Sequence, residues 1–384
     1  SVFIDRITGI PTPKTISNYK FPVLWQNRIA LCSNQSDKKN SILLGAAGSV
    51  AVFNGADTDE LFFGDDSEIT AGASLFTRFG NSTSESLVIC KANETWVIEG
   101  TDISNYITYK VSSSYGCIAP ETMKLVDIGV DVTTGITRSV LVWQSVAGIV
   151  LFDGNTVALL THDINDYFTD TASSNYITRS MMDDSVGFID TVNNEYHFLC
   201  AVNATTTIAK ELVFDLQKKK WYEIDRGSGK YLQYGFGVQD TTGNKYVYGA
   251  IDTGYLERLD NGQTFDGGNM TFQFRLGDAL LYTSAIYETI IRKIKLICKA
   301  KNTTTNNIAI AHYGDTKTTA TSPTTTAASP ASTTKRVVDN VRSVPLGPST
   351  FHSLDFQITT SNETYGFEPM FVSLLVKLIR ADIS

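Results

Sequence analysis

Short apolar runs rich in β-branched and aromatic residues follow one another along the chain, separated by turn residues, and helical periodicity is almost absent. Residues 42–44, 87–90, 140–143, 186–189, 196–200, 212–214, 232–237 and 246–248 read as strands. The pairs Asn54-Gly55, Asp153-Gly154, Asn261-Gly262 and Asp266-Gly267 punctuate the runs. Such pairs adopt positive φ at low cost and mark hairpin turns.

A repeat is visible on this background. Gly48-Ser-Val-Ala-Val-Phe-Asn54-Gly55, Asn93-Glu-Thr-Trp-Val-Ile-Glu99-Gly100 and Ala147-Gly-Ile-Val-Leu-Phe-Asp153-Gly154 share one shape. Thr253-Gly-Tyr-Leu-Glu-Arg-Leu-Asp260-Asn-Gly262 is a fourth copy, and Lys219-Lys-Trp-Tyr-Glu-Ile-Asp225-Arg-Gly227 a looser one. Each is a short apolar strand that closes on an acidic or amide residue and glycine. The turns at Gly55, Gly100 and Gly154 lie 45 and 54 residues apart, near the spacing of propeller blades, and the turn at Gly262 closes the series. A small sheet with two apolar faces cannot bury both alone, so radial packing of successive sheets is the economical solution.

The predicted fold is therefore all-β: a β-propeller of about five to seven blades, with about five blade-like units between residues 21 and 262, and an additional C-terminal β unit. A double-layer β-sandwich is the rival architecture. The domain boundary is placed between 1–265, the propeller, and 266–384, a sandwich-like or propeller-closing unit. Residues 314–334 are almost entirely Thr, Ser, Ala, Pro and Lys; too poor in apolar side chains to order themselves, they are expected to form a flexible loop or arm. The polar stretch 162–170 is expected to be a loop with one helical turn.

Composition refines this picture. In 384 residues, 42% are hydrophobic and only 19% charged, so solubility rests on Thr, Ser and Asn. The net charge of −8 argues against gripping nucleic acid through phosphates. The basic run Lys218, Lys219 and Lys220 reads as a solvated hairpin turn. The five cysteines, Cys32, Cys90, Cys117, Cys200 and Cys298, have no C-x-x-C spacing and fit a reducing compartment better than a disulfide framework. No segment reaches the length of a membrane span.

Candidate chemistry is sparse. The four histidines, His162, His197, His312 and His352, share no ligand spacing, so neither a zinc site nor any cofactor is expected. No G-x-S-x-G elbow, P-loop or dinucleotide fingerprint occurs. Two acidic clusters stand out: Asp57, Asp59, Glu60, Asp65, Asp66 and Glu68, and then Asp163, Asp166 and Asp170. Neither has the calcium-hand pattern, and spacing alone cannot set two carboxylates at a glycosidase separation. Trp96 and Trp221 occupy like places in two copies of the repeat, which with Trp143 marks them as packing aromatics rather than sugar platforms.

Several runs carry a family resemblance. Phe21-Pro-Val-Leu-Trp-Gln-Asn-Arg28-Ile-Ala-Leu31, Phe62-Phe-Gly-Asp65, Leu87-Val-Ile-Cys-Lys91, Glu94-Thr-Trp-Val-Ile-Glu-Gly100, Ser114-Tyr-Gly-Cys-Ile-Ala-Pro120 and Gly148-Ile-Val-Leu-Phe-Asp-Gly154 resemble strands of the β-propeller tail hub or nozzle proteins of short-tailed bacteriophages, the packaged-DNA stabilization proteins among them. The resemblance covers residues 21–170 well and the remainder loosely. It implies a non-enzymatic virion structural protein, assembled in the host cytoplasm. Its place would be a homo-hexameric ring against the portal and adaptor proteins, extending the DNA channel without binding DNA specifically. The alternative expectation is a propeller-type glycan-binding or glycosidase tail component.

Overall fold

The computed structural model describes residues 3–4, 11–12, 18–50, 52–53, 59–79, 82–131, 136–259, 261, 271–282, 287–300, 307–315, 321–328, 348–359 and 367–379. The chain divides into two compact units, Ser1–Leu259 and Asp260–Ser384. Among the described residues no helix is long and apolar enough to cross a membrane.

In the first unit a short antiparallel pair, β1 (Phe3–Ile4) and β2 (Pro11–Thr12), precedes five consecutive up-and-down sheets. The first sheet runs β3 (Tyr19–Trp25), β4 (Arg28–Asn34), β5 (Ser41–Leu44) and β6 (Asp59–Phe62). The second runs β7 (Ile69–Phe79), β8 (Ser82–Lys91), β9 (Thr95–Glu99) and β10 (Ile107–Ser112). The third runs β11 (Ala119–Asp131), β12 (Ile136–Ser145), β13 (Gly148–Phe152) and β14 (Val157–Leu159), and one pairing of β12 with β7, Arg138 opposite Thr77, joins the second and third into an eight-stranded sheet. After α1 (Asp166–Thr169) and flanking 3-10 turns, the fourth runs β15 (Val186–Asp190), β16 (Glu195–Cys200), β17 (Lys210–Asp215) and β18 (Lys220–Ile224). The fifth has β19 (Leu232–Gln239), β20 (Lys245–Ile251) and β21 (Leu256–Arg258). The first strands β3, β7, β11, β15 and β19 neighbour one another in that order. This is the blade order of a β-propeller, and the sandwich alternative does not apply to this unit.

Alternation along each second strand explains the packing. On β8, Leu87 and Ile89 join Val23, Trp25, Ile42 and Leu44 of the first blade, whereas Val88 and Cys90 join Leu141, Trp143 and Phe152 of the third. On β12, Val140 and Val142 face the other way, into Tyr196, Phe198, Leu212 and Phe214 of the fourth. On the opposite side of that blade, Phe188 and Leu199 meet Leu232, Val247 and Ile251 of the fifth. Every internal blade thus shares one core with its predecessor and another with its successor.

The repeat is correct in kind but displaced in two copies. The second, third and fourth copies fall on the third strands β9, β13 and β21. The first does not: after β5 the Ala46 N–H donates to the Val52 carbonyl and the Gly48 N–H to the Asn27 carbonyl, while Ala51 and Asn54 lie outside the described residues. Among the described residues of that copy Phe53 is buried, against Leu31 and Leu43, while Val50 and Val52 stay exposed. The looser copy is the fourth strand β18, so Trp96 and Trp221 are not equivalent, one lying on a third strand and the other on a fourth. The fourth blade's true third strand ends on Asp215, whose Oδ1 accepts from the N–H groups of Gln217 and Lys218 as that of Asp153 does from Asn155 and Thr156. The conserved element of the turn is the carboxylate bracing its backbone; Leu216 stands where Gly154 stands. Gly100 and Gly154 do take positive φ, +131° and +96°, while Gly55 and Gly262 lie outside the described residues.

The second unit holds β22 (Thr271–Leu280), β23 (Glu288–Ala300), β24 (Asn307–Tyr313), β25 (Thr321–Ala328), β26 (Phe351–Thr359) and β27 (Phe367–Ile379). A four-stranded sheet in the order β22-β26-β24-β25 and a two-stranded sheet, β23-β27, enclose Ile291, Ile294, Leu296, Ile308, Ile310, Leu354 and Phe356. The unit is a small sandwich. The segment 314–334, expected to be structureless, contributes β25, paired with β24 at the sheet's edge. An edge strand needs only one ladder, suits β-branched threonine and tolerates Pro323.

Gly235 on β19 shows how close the fourth and fifth blades are. A Cβ there would sit 2.6 Å from the Phe188 ring, which is itself stacked on His197 with centroids 4.4 Å apart. Two residues on, a Cβ at Gly237 would have no atom nearer than 3.7 Å. Gly235→Ala is expected to cost about 1–3 kcal/mol through overpacking, and Gly237→Ala to be neutral or stabilising by up to about 1 kcal/mol; denaturant unfolding of both variants checks the contrast.

Candidate functional site

An open cleft of about 410 Å³ lies where the third, fourth and fifth blades end. Leu125 and Asp127 reach it from β11, two residues apart and so on one face, while Val126 between them turns into the core. Ile189 reaches it from β15, Thr191 and Asn194 from the β15–β16 turn, Leu216 and Gln217 from the β17–β18 turn, and Lys245 from the start of β20. Beside Leu125, the Lys124 ammonium stands 5.7 Å from the centre of the Tyr234 ring on β19; burial holds its pKa below the usual lysine value, against the opposing pull of Glu121. Tyr234 and Phe236 are exposed on β19, and Phe236 stacks on Tyr248 at 6.1 Å.

The β15–β16 turn carries a second constellation. In register, Asp190 lies opposite Glu195, and Glu195 opposite Asp215, so three acids cross three strands in a row. Asp190 is buried; its Oδ1 accepts from the N–H groups of Val192 and Asn193, and its Oδ2 from the Asn193 side-chain amide. Glu195 accepts from the Tyr222 hydroxyl at 2.6 Å. Burial, and after it the neighbouring charges of Asp190 and Asp215, raises the Glu195 pKa against the lowering effects of Tyr222 and His197. His197, buried against Phe188, places Nδ1 2.7 Å from Glu211 Oε1. Arg226 grips the same carboxylate at 2.6 and 3.0 Å. Burial alone would raise the Glu211 pKa, but the His197 and Arg226 hydrogen bonds outweigh it and hold the group ionised. Among the described residues, Asp190, Glu195 and His197 are the group whose ligand atoms converge as a metal site requires, within 4.8 Å of one another.

Among the described residues, neither acidic cluster singled out in the sequence forms such a site; Asp57 lies outside them. Asp65 instead pairs with Lys91, a lysine 1% exposed, whose ammonium also donates to the Asp65 carbonyl. Glu68 pairs with Lys20, and Asp163 with Lys220. Of the tryptophans, Trp143 is fully buried and donates to the Gly116 carbonyl, whereas Trp96, on the third strand β9, and Trp221, on the outer strand β18, are half-buried. Cys32, Cys90, Cys117 and Cys200 are buried free thiols; burial pushes Cys90 up to about 12, which removes it as a nucleophile. The sequence held a signal for the blade-four group that histidine spacing missed: Glu-x-His puts Glu195 and His197 on one strand face, and Asp190 ends the preceding strand of the hairpin.

No family model matches the chain, and no curated protein matches it. Among solved structures, the chain is similar in outline to a glycoside hydrolase family 43 arabinoxylan arabinofuranohydrolase from Bacillus subtilis, in complex with cellotetraose. The TM-score is 0.30 at 9% identity, over 93% of this chain and 95% of that one. A bifunctional GH43-CE protein from Bacteroides eggerthii gives 0.29 at 10% identity, over 94% of this chain and 62% of that one. Likeness at this level carries no statement about activity. The expected tail-hub function is corrected here: the two solved structures named are glycoside hydrolase family 43 proteins, and no family model or curated protein links the chain to a tail hub subunit, so that reading is withdrawn. The expectation that the chain is not an enzyme is withdrawn with it. It rested on missing motifs, and hydrolysis by paired carboxyl groups has no linear motif to miss.

In the second unit, His312 Nε2 and His352 Nδ1 are 2.7 Å apart, and His352 Nε2 lies 2.7 Å from Thr289 Oγ1. Both rings are buried. Burial, and then the charge of His352, lowers the His312 pKa to about 4, and burial lowers that of His352. Unfolded histidines titrate near about 6.5, so below that pH the unfolded chain binds more protons than the folded one. The stability this pair contributes is complete above about pH 6.5 and is lost as pH falls toward 4, the folded value for His312. Denaturant unfolding between those limits is expected to show a midpoint that falls with acidification, and His312→Asn to flatten the slope.

Proposed function

We propose that the propeller unit is a carbohydrate-active module whose cleft takes a sugar unit. The observation that carries this reading is the makeup of the cleft. Asp127 accepts, Lys245 donates, and Asn194, Gln217 and Thr191 do both, around the aliphatic side chains of Leu125, Ile189 and Leu216. A sugar ring has the matching character, with hydroxyl groups that donate and accept at its rim and apolar C–H faces. The volume of about 410 Å³ falls within the range of small-molecule sites. Tyr234 and Phe236 on the neighbouring strand offer exposed rings for stacking. The net charge of −8 disfavours a polyanionic ligand.

Isothermal titration of the full chain against a panel of neutral pentose- and hexose-based oligosaccharides tests the reading. At least one is expected to bind saturably, with Asn194→Ala and Gln217→Ala each weakening it about 2- to 10-fold, the worth of one hydrogen bond. Release of reducing ends in the same samples reports cleavage. Absence of binding across the panel, or binding indifferent to both substitutions, would overturn the proposal.

A further inference from the structure

The row of acids on the fourth blade is a defect unless something compensates it. Like charges directly opposite on neighbouring strands are destabilising, and here Asp190, Glu195 and Asp215 stand opposite in series. Lys218 answers Asp215 at 2.6 Å, and Arg226 answers Glu211. Among the described residues, Asp190 and Glu195 meet backbone N–H groups, an amide, a hydroxyl and His197, but no lysine or arginine. Beside His197, four carboxylates are answered by two side-chain cations, Lys218 and Arg226, and neither cation pairs with Asp190 or Glu195.

His197 supplies the second observation. Its side chain is 5% exposed. With Nδ1 engaged by Glu211, Nε2 is left over, and this buried nitrogen has no hydrogen-bond partner. It points toward the carboxylates, 3.8 Å from Glu195 Oε2. A buried polar nitrogen without a partner is destabilising. A carboxylate that orients and polarises an imidazole through Nδ1 while Nε2 stays open is the arrangement found behind metal-ligating histidines.

We propose that Asp190, Glu195 and His197 bind a divalent first-row transition metal ion of the zinc type, with Glu211 as the positioning residue for His197. The ion neutralises the two uncompensated charges and gives Nε2 its partner. One imidazole nitrogen and two carboxylates favour such an ion over calcium, which takes six to eight oxygens. Ligands about 2.0–2.1 Å from a tetrahedral zinc lie about 3.3 Å apart, so the present 4.8 Å limit asks the flexible Glu195 side chain to close in by roughly an ångström and a half. Glu195, the least buried of the three, gives the ion its way in. The bound ion cross-links β15 to β16 across the turn that carries Thr191 and Asn194 into the cleft.

The test uses untagged full-length chain stripped with chelator. Titration with Zn²⁺ alone is expected to show one saturable site and to raise the unfolding temperature, and Co²⁺ to give the visible absorption of a low-coordinate site. Glu195→Gln, which keeps the Tyr222 contact and removes a charge, is expected to weaken zinc binding by at least 10-fold with the fold unchanged by circular dichroism. Glu211→Gln is expected to weaken it 10- to 100-fold. The imidazole ¹⁵N resonances, assigned with His197→Gln, are expected to show Nε2 shifting on Zn²⁺ addition. No site up to millimolar Zn²⁺, Co²⁺ or Mn²⁺, or a site unaffected by Glu195→Gln, would overturn the proposal and leave His197 as the proton-bearing member of an ordinary ion pair.

Discussion

Each sheet of the first unit is apolar on both faces, and the need to cover both is the constraint on which the rest of the structure depends. One four-stranded meander cannot satisfy it, because folding its own faces together would require a second sheet on each side. Serial packing satisfies it, with Leu87 and Ile89 spent on the blade before and Val88 and Cys90 on the blade after. The alternation of two residues per strand period converts one short run into half of two different cores. The first strands are then brought side by side.

That gathering makes both features of chemical interest. The cleft draws residues from two first strands, two turns and the start of a second strand, spread over 121 positions from Leu125 to Lys245. The acid–histidine group arises one hairpin away, on the blade face that meets the fifth blade. Close packing there is a condition of its chemistry: Phe188 covers one face of the imidazole while Gly235 lets the next backbone approach. Burial of His197 and Glu211 is affordable because Arg226 ionises the carboxylate and the carboxylate fixes the ring.

Much of the fold was legible in the sequence. Strand runs such as 140–143 and 196–200 fall within β12 and β16, since alternation and β-branching report local pleating directly. The blade repeat was legible in kind, but its register was misread at two copies. A run such as 48–53 has the hydrophobicity of a strand, yet its described residues join no strand ladder, and Val50 and Val52 remain in solvent. The opposite error occurred at 321–328, where composition argued against order and an available sheet edge supplied it. In both cases pairing decided, and pairing is a property of two segments.

The candidate site divides the same way. By itself the sequence determined an all-β chain of short strands and acidic turns, because side-chain period and turn chemistry are local. It also contained Glu195 and His197 on one strand face, a local fact that a search for histidine pairs passed over. It did not determine that Glu211 would reach that histidine while Arg226 grips the same carboxylate. Strand patterns recur wherever two-faced sheets are stacked, so they specify an architecture and leave the function open. Which charges end up opposite one another, which nitrogen is left without a partner, and which polar groups share a cleft are set by register and blade packing, and only the tertiary structure decides them.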